Sequence, residues 1–506
     1  MIAPELRPYQ RDMLARIGAE IAAGRRRILV TLPTGAGKTV VAAALIAEAV
    51  ARGERALFVA HRREIVAQTC AKLHAVSVDH GVIQAGFPSR SGAPVQVASI
   101  QTLHARAIRS RTLAMPEASL VFVDEAHHCR AQTYEAVLAC YPDATVVGLT
   151  ATPCRADGRG LGNVFGVLVE GPSVAELVAE RHLVPVRVYA PSRPDLTGVR
   201  VERGDYVEAE LARRVNTDRL VGDIIEHWLR LAERRRTVVF ATGVAHSVHI
   251  RDRFRAAGVV AEHIDGATPT EDRDRILAAL AAGAVDIVVN AMVLTEGWDR
   301  PEVSCLILAR PTKSLGLYRQ MVGRVLRPYP NKADALILDH AGAVFAHGLP
   351  DDPIAWALHA DRRAKNTAHA ARGTPHAPAL TTCPECAAVR FAGRPCPACG
   401  WRPVPKPQAI ETLPGELARV DGRLRAAAAA ASPAEREQFY RELLWIARER
   451  GRQPGWAAHV YREKFGAWPS APPWAPPAPM PAGPAVRAYV RSRDIAYATS
   501  QARRRA

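Results

Sequence analysis

The sequence is poor in cysteine and in long apolar runs, and each shortage excludes a class of protein. Nine cysteines in 506 residues are too few for a disulfide-stapled secreted scaffold. No stretch reaches the ~18 apolar residues that a membrane-spanning helix needs, so no membrane partner is expected. The N-terminal residues lack the basic and apolar regions of a signal peptide, which favours a cytoplasmic protein.

Acidic residues are also in short supply relative to basic ones. Lys and Arg total 67 against 50 Asp and Glu, which gives a net charge of +17. Residues 346–506 hold 24 basic and 13 acidic side chains, so most of the surplus lies in the last third. Such a surplus is typical of proteins that bind phosphate polymers, although a solvated basic tail has the same composition. A hydrophobic fraction of 48% excludes a mostly disordered chain.

Short β-branched runs alternate with helical patterns between about residues 27 and 339. Near-continuous apolar strands separated by helices indicate parallel sheets covered on both faces. Two sets of strands, separated by a polar interval near 190–235, predict an α/β protein with two tandem domains at residues 1–190 and 200–345. The predicted strands are 28–31, 56–59, 120–123, 145–147, 237–240, 286–289, 305–308 and 336–338.

The strand signal stops after about residue 346. A cysteine-rich module is expected at residues 375–405 and a small helical region at 410–468. Within it, Ser432, Pro433 and Glu435 form a helix start signal, which predicts a helix from Pro433 to Arg450. Eight of the sixteen residues 469–484 are proline, so residues 469–506 are expected to form a stiff linker and a basic tail.

A glycine-rich loop lies between the first predicted strand and a helix. Its glycines let backbone N–H groups approach phosphate oxygens, and the following helix adds the positive end of its dipole. Lys38 is expected to reach the β- and γ-phosphates, and the Thr39 hydroxyl to ligate Mg²⁺. The loop departs from the general phosphate-loop pattern because Leu32 occupies the first glycine position. The candidate residues are Pro33, Thr34, Gly35, Ala36, Gly37, Lys38 and Thr39.

Two carboxylates follow the predicted strand 120–123 directly. A carboxylate at the end of a neighbouring strand can hold Mg²⁺, and the next one can orient the attacking water. We therefore assign Asp124 to the metal and Glu125 to the water. His127 is interpreted as a hydrogen-bonding residue that couples hydrolysis to movement, since no second metal ligand lies four residues later.

Hydrolysis of a phosphoanhydride also needs positive charge near the γ-phosphate. Arg324 and Arg327 are three residues apart, hence on one face of a predicted helix. An arginine finger of this kind is worth ~10³–10⁵ in rate, and its movement can switch hydrolysis on. Both arginines are candidates for that role.

The ordered set of motifs over residues 5–340 resembles superfamily 2 helicases of the DEAH-box kind. The resemblance implies two RecA-like motor domains that clamp ATP between them. It also implies that Gln10 reads the adenine edge and that Gly297 and Asp299 contact the nucleotide. Contact with the nucleic-acid strand is implied for His61, Arg62, Arg63, Gln101, Thr102 and Thr295. Coupling roles are implied for His127, Thr150, Thr152 and Gln320.

Within the superfamily, the chain resembles the RadD-like bacterial and phage proteins. The resemblance rests on the run from Arg310 to Ser314, on the cysteine cluster after the second domain and on the motif from Lys464 to Pro469. It implies a role in DNA repair or recombination at the nucleoid. Single-strand-binding protein and other repair proteins are the protein partners that such a role implies.

Four cysteines form two C-x₂-C knuckles separated by nine residues. Two such knuckles complete a tetrahedral S₄ shell, which fits a structural Zn²⁺ with no open position. The short spacer leaves an iron–sulfur site open as an alternative. The ligands are Cys383, Cys386, Cys396 and Cys399.

The expected function is therefore a motor on nucleic acid, a helicase or translocase that hydrolyses Mg·ATP, and the family resemblance implies that its nucleic acid is DNA. Three alternatives share the same motifs: an ATP-gated DNA clamp that does not unwind, an RNA helicase, and the motor subunit of a restriction system. Motifs that contact the sugar-phosphate backbone of a nucleic acid do not distinguish DNA from RNA reliably.

Overall fold

The computed structural model describes residues 6–88, 90–129, 131–154, 160–191, 194–202, 204–295, 297–359, 379–403, 431–471 and 475–505, with side chains through residue 494. The chain divides into two compact units, residues 1–405 and residues 406–506. None of the helices in the described ranges is long and apolar enough to cross a bilayer.

Seven parallel strands form the first sheet. They are β1 (Arg27–Thr31), β2 (Ala56–Ala60), β3 (His80–Ile83), β4 (Val95–Ser99), β5 (Leu120–Asp124), β6 (Thr145–Thr150) and β7 (Val167–Glu170). Their order is β3-β4-β2-β5-β6-β1-β7. Its helices are α1 (Pro8–Ala22), α2 (Lys38–Ala51), α3 (Arg63–Ala75), α4 (Ile100–Leu103), α5 (Gln132–Ala139) and α6 (Val174–Ala179), with a π-helix at His104–Arg109 and a 3₁₀ turn at Ala126–His128.

Six parallel strands form the second sheet. They are β8 (Val186–Tyr189), β11 (Thr237–Phe240), β12 (Ala261–Ile264), β13 (Ile287–Asn290), β14 (Cys305–Leu308) and β15 (Ala335–Asp339), in the order β12-β13-β11-β14-β15-β8. A separate hairpin consists of β9 (Val201–Glu202) and β10 (Asp205–Tyr206). The helices are α7 (Glu208–Val215), α8 (Asp218–Leu231), α9 (Val244–Ala256), α10 (Thr270–Ala282), α11 (Leu315–Gly323) and α12 (Ala343–His347), with a 3₁₀ turn at Val293–Thr295.

All eight predicted strands are present, and their composition explains their position. Strands β2, β5 and β14, for example, are buried along their whole length. Helices on both faces exclude water from these strands, so every side chain can be apolar whichever face it points to. The carboxyl ends of all the strands in one sheet meet at one edge, and that edge carries the predicted motifs.

Strand β8 shows that the change from one sheet to the other comes earlier than expected. Residues 186–189 lie inside the predicted first domain, yet β8 pairs in parallel with β15 of the second sheet. Half of its side chains are buried, as is usual for a strand at the edge of a sheet. Sequence periodicity alone does not tell which of the two sheets such a strand joins.

The cysteine-rich module contains two strands where none was expected. Strands β16 (Leu380–Thr382) and β17 (Val389–Phe391) pair in antiparallel fashion. The module packs on the outer edge of the second sheet, where Tyr189 bridges to Ala388 and the Ala190 amide donates to the Ala387 carbonyl at 3.2 Å. It therefore covers the open edge that β8 would otherwise present.

The second unit contains three described helices. They are α13 (Pro433–Glu449), α14 (Pro454–Phe465) and α15 (Pro484–Arg505). The predicted capping box is present, because the Ser432 side chain accepts from the Glu435 amide at 3.3 Å and the Glu435 carboxylate accepts from the Ser432 amide at 2.7 Å. The expected basic tail contains helix α15, whose Val486 and Val490 are buried against α13 and α14. Residues 375–378, 404–430 and 472–474 of the predicted module, helical region and linker lie outside the described residues.

Candidate nucleotide site

The phosphate loop connects β1 to α2 and is shaped by two glycines in the left-handed region. Gly35 has φ +90° and Gly37, which precedes α2, has φ +84°. A Cβ at Gly37 would lie only 2.5 Å from Nε2 of Gln10. Both the left-handed conformation and the close approach of Gln10 therefore require glycine at Gly37, where the loop enters the helix as an anion-binding turn does.

Helix α1 contacts this loop through two neighbouring side chains. The Tyr9 hydroxyl donates to the Ala36 carbonyl at 2.8 Å, and Gln10 Nε2 approaches the same oxygen at 3.3 Å. The Tyr9 ring also lies 5.1 Å from the His182 ring. Gln10 is among the predicted residues, whereas Tyr9 was given no role, although it directly precedes Gln10 in the sequence.

Asp124 and Glu125 end strand β5 beside the loop and are both buried. Burial, reinforced by the neighbouring Glu125 charge, raises the pKa of Asp124 to about 7, while Lys38 opposes the shift. Asp124 Oδ1 is buried and has no hydrogen-bond partner. A buried carboxylate oxygen without a donor is costly, and a cation at this point would favour its ionised form.

Glu125 occupies a strained backbone position. Its φ of 48° and ψ of 56° lie in the left-handed region, which costs an L-residue about 1–2 kcal/mol. The turn brings Glu125 Oε2 to 3.4 Å from Nδ1 of His127. Strain of this kind persists where the surrounding structure fixes a functional geometry.

A polar chain leads from the carboxylates to the end of β6. His127 Nδ1 is 3.4 Å from the Thr150 hydroxyl, which donates to the Thr152 carbonyl at 2.9 Å. Thr152 Oγ1 in turn lies against α11, because a Cβ at Gly316 would be 3.2 Å from it. Three of the four residues with predicted coupling roles, His127, Thr150 and Thr152, are thus in one connected series.

The two candidate arginines have different surroundings. Arg327 lies over the phosphate loop, since a Cβ at Gly35 would be 3.0 Å from its Cγ, and it pairs with Asp299. Burial lowers the pKa of Arg327 to about 10. Arg324 is buried and donates to the carbonyls of Thr295 and Trp298 at 2.7 Å each.

The motif after β13 faces the interior and the first sheet. Thr295, which is predicted to contact the strand, is buried, and its hydroxyl donates to the Met292 carbonyl at 3.0 Å. Gly297 is predicted to contact the nucleotide, and its carbonyl accepts from Gln68 of α3 at 2.7 Å. Asn290 fixes this turn by accepting from the Leu294 amide at 3.2 Å.

The other predicted strand contacts lie at the carboxyl edge of the first sheet. Gln101 Nε2 donates to the His61 carbonyl at 3.3 Å, which joins the ends of β4 and β2. The Arg63 guanidinium lies 5.8 Å from the centre of the Phe87 ring. Arg62 and Thr102 are half-buried. Gln320, which has a predicted coupling role, is buried on α11.

The four cysteines of the module lie together. Their sulfur atoms are all within 4.8 Å of one another, with Cys383 to Cys399 at 3.7 Å and Cys386 to Cys396 at 3.6 Å. Zinc–thiolate bonds of ~2.3 Å in a tetrahedron would separate the sulfurs by about 3.8 Å. The separations therefore fit one tetrahedral ion.

Two domain families match the chain in the expected order. Residues 3–155 match the res subunit of type III restriction enzymes, and residues 220–329 match the helicase conserved C-terminal domain. The chain is 28% identical over 375 residues to a 51.5 kDa protein of a Lactococcus phage, covering 74% of this chain and 77% of that protein. It is 31% identical over 361 residues to a Saccharomyces cerevisiae protein assigned as the ATP-dependent helicase IRC3, covering 67% and 52%.

A solved structure shares the fold. A fragment assigned as an HsdR subunit of a type I restriction enzyme from Vibrio vulnificus superposes with a TM-score of 0.54 at 20% identity, covering 69% of this chain and 67% of that one. The two parallel α/β sheets and this shared fold fit two RecA-like domains. The domain matches are more specific, and together with the helicase relatives they support a superfamily 2 helicase, an ATP-hydrolysing enzyme. It spans about half of the length of the yeast relative.

Proposed function

We propose that the protein is a DNA motor that hydrolyses Mg·ATP in the cleft between its two sheets and uses the cycle to move along or unwind DNA. The observation that carries the proposal is the approach of Arg327, from the second sheet, to Gly35 of the phosphate loop on the first. A cleft whose two walls carry complementary halves of one site can link hydrolysis to opening and closing.

The residues of the loop and of β5 fit Mg·ATP. The backbone of the loop at Gly35 and Gly37 would bind the phosphates, with Lys38 beside them. Gln10 would contact the adenine base. Thr39 and the unpartnered oxygen of Asp124 would hold Mg²⁺, which supplies charge neutralisation at the β- and γ-phosphates. Glu125 would hold the attacking water in line with the γ-phosphate and accept a proton from it.

DNA as the substrate, and repair or recombination as the setting, extend this proposal. They are supported by the RadD-like features, namely the run from Arg310 to Ser314 and the Cys₄ module. The name of one relative, an XPB2 protein of Sulfurisphaera tokodaii, describes a DNA 3'-5' translocase. In this role the protein would act at the nucleoid, in the cytoplasm, with single-strand-binding protein among its partners.

Steady-state ATP hydrolysis tests the proposal directly. We expect single-stranded DNA to stimulate turnover more than duplex DNA or single-stranded RNA does, and a forked duplex to be unwound. Stimulation mainly by RNA would replace the DNA assignment with an RNA helicase. Turnover without strand displacement would favour a clamp or a translocase, such as the motor of a restriction system.

We also propose that the four cysteines hold a structural Zn²⁺. A multi-iron cluster would place its thiolates on different irons and so farther apart than these sulfurs are. The ion would fix the hairpin β16–β17 against the edge of the second sheet. Such a small module has little apolar core of its own, and zinc binding is worth ~10–16 kcal/mol in comparable modules.

Replacing Cys383 and Cys396 together by serine should release the metal and lower the thermal midpoint of the full chain, because the edge of β8 loses its cover. Elemental analysis and thermal unfolding measure the two effects. Cys140→Ser is the matched control, since Cys140 is exposed and lies in the first domain. Iron in the purified protein, or a double variant that keeps its zinc, would contradict the assignment.

The basic second unit gives a separate prediction. Residues 406–506 carry 17 basic and 9 acidic side chains. Removing them should weaken DNA binding and flatten its salt dependence, because each lost phosphate contact removes ~0.7–0.9 from the log–log slope. Fluorescence anisotropy at several salt concentrations measures the slope, with thermal unfolding as the check on residues 1–405. An unchanged slope would assign this charge to solubility.

A further inference from the structure

The run from Arg310 to Ser314 follows β14 and is held by the hairpin β9–β10. One carboxylate makes most of the contacts. Asp205 accepts from the Thr312 hydroxyl at 2.9 Å and from the Lys313 amide at 2.8 Å, and it pairs with the Arg310 guanidinium at 3.4 Å. The hairpin thus fixes the backbone of a segment that would otherwise be an open loop.

Lys313 is presented to solvent by this arrangement. Its side chain is exposed, its ammonium lies 5.2 Å from the centre of the Tyr206 ring, and it forms no ion pair within the described part of the chain. A lysine ammonium on a fixed backbone is a ready phosphate ligand, because its charge is not already used by a carboxylate. Tyr206 limits the directions in which the side chain can point.

Lys313 also lies at the correct edge of the sheet. Strands β13, β11 and β14 are parallel neighbours, and their carboxyl ends are Asn290, Phe240 and Leu308. The segment 310–314 leaves the sheet beside the other two strand ends. In open α/β sheets, this is the edge where ligands bind.

The same segment begins helix α11. The Thr312 hydroxyl, held by Asp205, accepts from the Ser314 amide at 3.0 Å, and Ser314 Oγ accepts from the Leu317 amide at 3.3 Å as the helix cap. The first turn of α11 contacts Thr152, and the chain beyond its last turn carries Arg327 to the phosphate loop. A contact at Lys313 is therefore one helix away from the nucleotide site.

We propose that Lys313 binds a backbone phosphate of the DNA strand and that Asp205 is the positioning residue that holds it there and ties it to the start of α11. The inference rests on the proposed DNA motor function and adds a site on the second sheet that no sequence motif assigned to the strand. The ligand is a phosphodiester group, recognised without regard to the base.

The test measures binding of the full chain to a fluorescein-labelled single-stranded oligodeoxynucleotide as salt is varied. Lys313→Ala should weaken binding and reduce the log–log salt slope by ~0.7, the value for one phosphate contact to a single strand. Lys313→Arg should restore the slope, since the cation is kept. Lys72→Ala is the matched control, because Lys72 is exposed in the last turn of α3, at the opposite edge of the first sheet.

Asp205→Asn tests the positioning role. It should reduce the slope as Lys313→Ala does, and the double variant should show no further loss. The DNA concentration for half-maximal ATPase stimulation should also rise. Thermal unfolding checks the variant, since Arg310 is buried and its Nε and Nη1 have no partner. If Asp205→Asn does not fold, the Lys313 series still decides the phosphate contact.

The outcomes separate this inference from the proposed function. If the ATPase responds to DNA but Lys313→Ala binds DNA with the same affinity and salt slope as Lys72→Ala, the phosphate contact is overturned and the motor function is not. An additive double variant would overturn the positioning role of Asp205. Wild-type ATPase that ignores all nucleic acids would overturn the proposed function itself.

Discussion

Replacing Lys38 by alanine is expected to abolish ATP turnover, with a loss of about 10³-fold or more. Lys38 starts helix α2 and its ammonium lies near the Leu32 carbonyl at 3.5 Å, in the mouth of the phosphate loop. A cation placed where charge develops on the phosphates contributes more inside a dry cleft than in water, and one such donor is commonly worth ~10²–10³ in rate. Its loss also weakens nucleotide binding, which adds to the effect.

Two companion variants make this result specific to the site. Lys72→Ala removes an exposed lysine and should leave turnover unchanged. Lys38→Arg keeps the charge but not the compact ammonium, so it should also lose most activity. Nucleotide binding by fluorescence, together with phosphate release, separates binding from chemistry. A Lys38→Ala variant that keeps most of its ATP turnover would contradict the assignment of this loop to the hydrolytic site.

Much of the fold is predictable because its strands are buried on both faces. A run such as Leu120–Asp124 is apolar at every position, so its strand character does not depend on knowing which face is inside. The phosphate loop is equally local, since a glycine-rich turn between a strand and a helix has one common use. Both signals survive without any knowledge of tertiary contacts.

Positions that depend on distant partners are not predictable in this way. Strand β8 is half-buried and short, and only its pairing with β15 assigns it to the second sheet. Asp205 lies in a two-residue strand with no motif, and its four accepted hydrogen bonds include partners more than a hundred residues away. Spacing within the sequence carries no information about such contacts.

The arginine pair shows the same limit at the site. Spacing places Arg324 and Arg327 on one helical face, but the first is engaged by the carbonyls of Thr295 and Trp298. Helix α11 ends at Gly323, so the two residues no longer share a helix and point to different partners. The roles of the two arginines therefore separate only in three dimensions.

We expect Arg327→Ala to reduce ATP turnover by ~10³-fold or more while nucleotide binding is largely kept. Arg327 is the arginine at the phosphate loop, and Asp299 holds it there. The fold is not expected to depend on it, so its thermal midpoint should stay near that of the wild type. Single-turnover hydrolysis and nucleotide titration measure the two parts of the prediction.

Arg324→Ala should behave differently, because it leaves buried carbonyl groups without donors and should lower the thermal midpoint as well as the turnover. Arg230→Ala is the matched control, since Arg230 is exposed at the end of α8. If Arg327→Ala hydrolyses ATP almost normally while Arg324→Ala is folded but inactive, the finger is Arg324. The carbonyl contacts seen here would then belong to an open state of the cleft, and closure over ATP would have to release that side chain from Thr295 and Trp298.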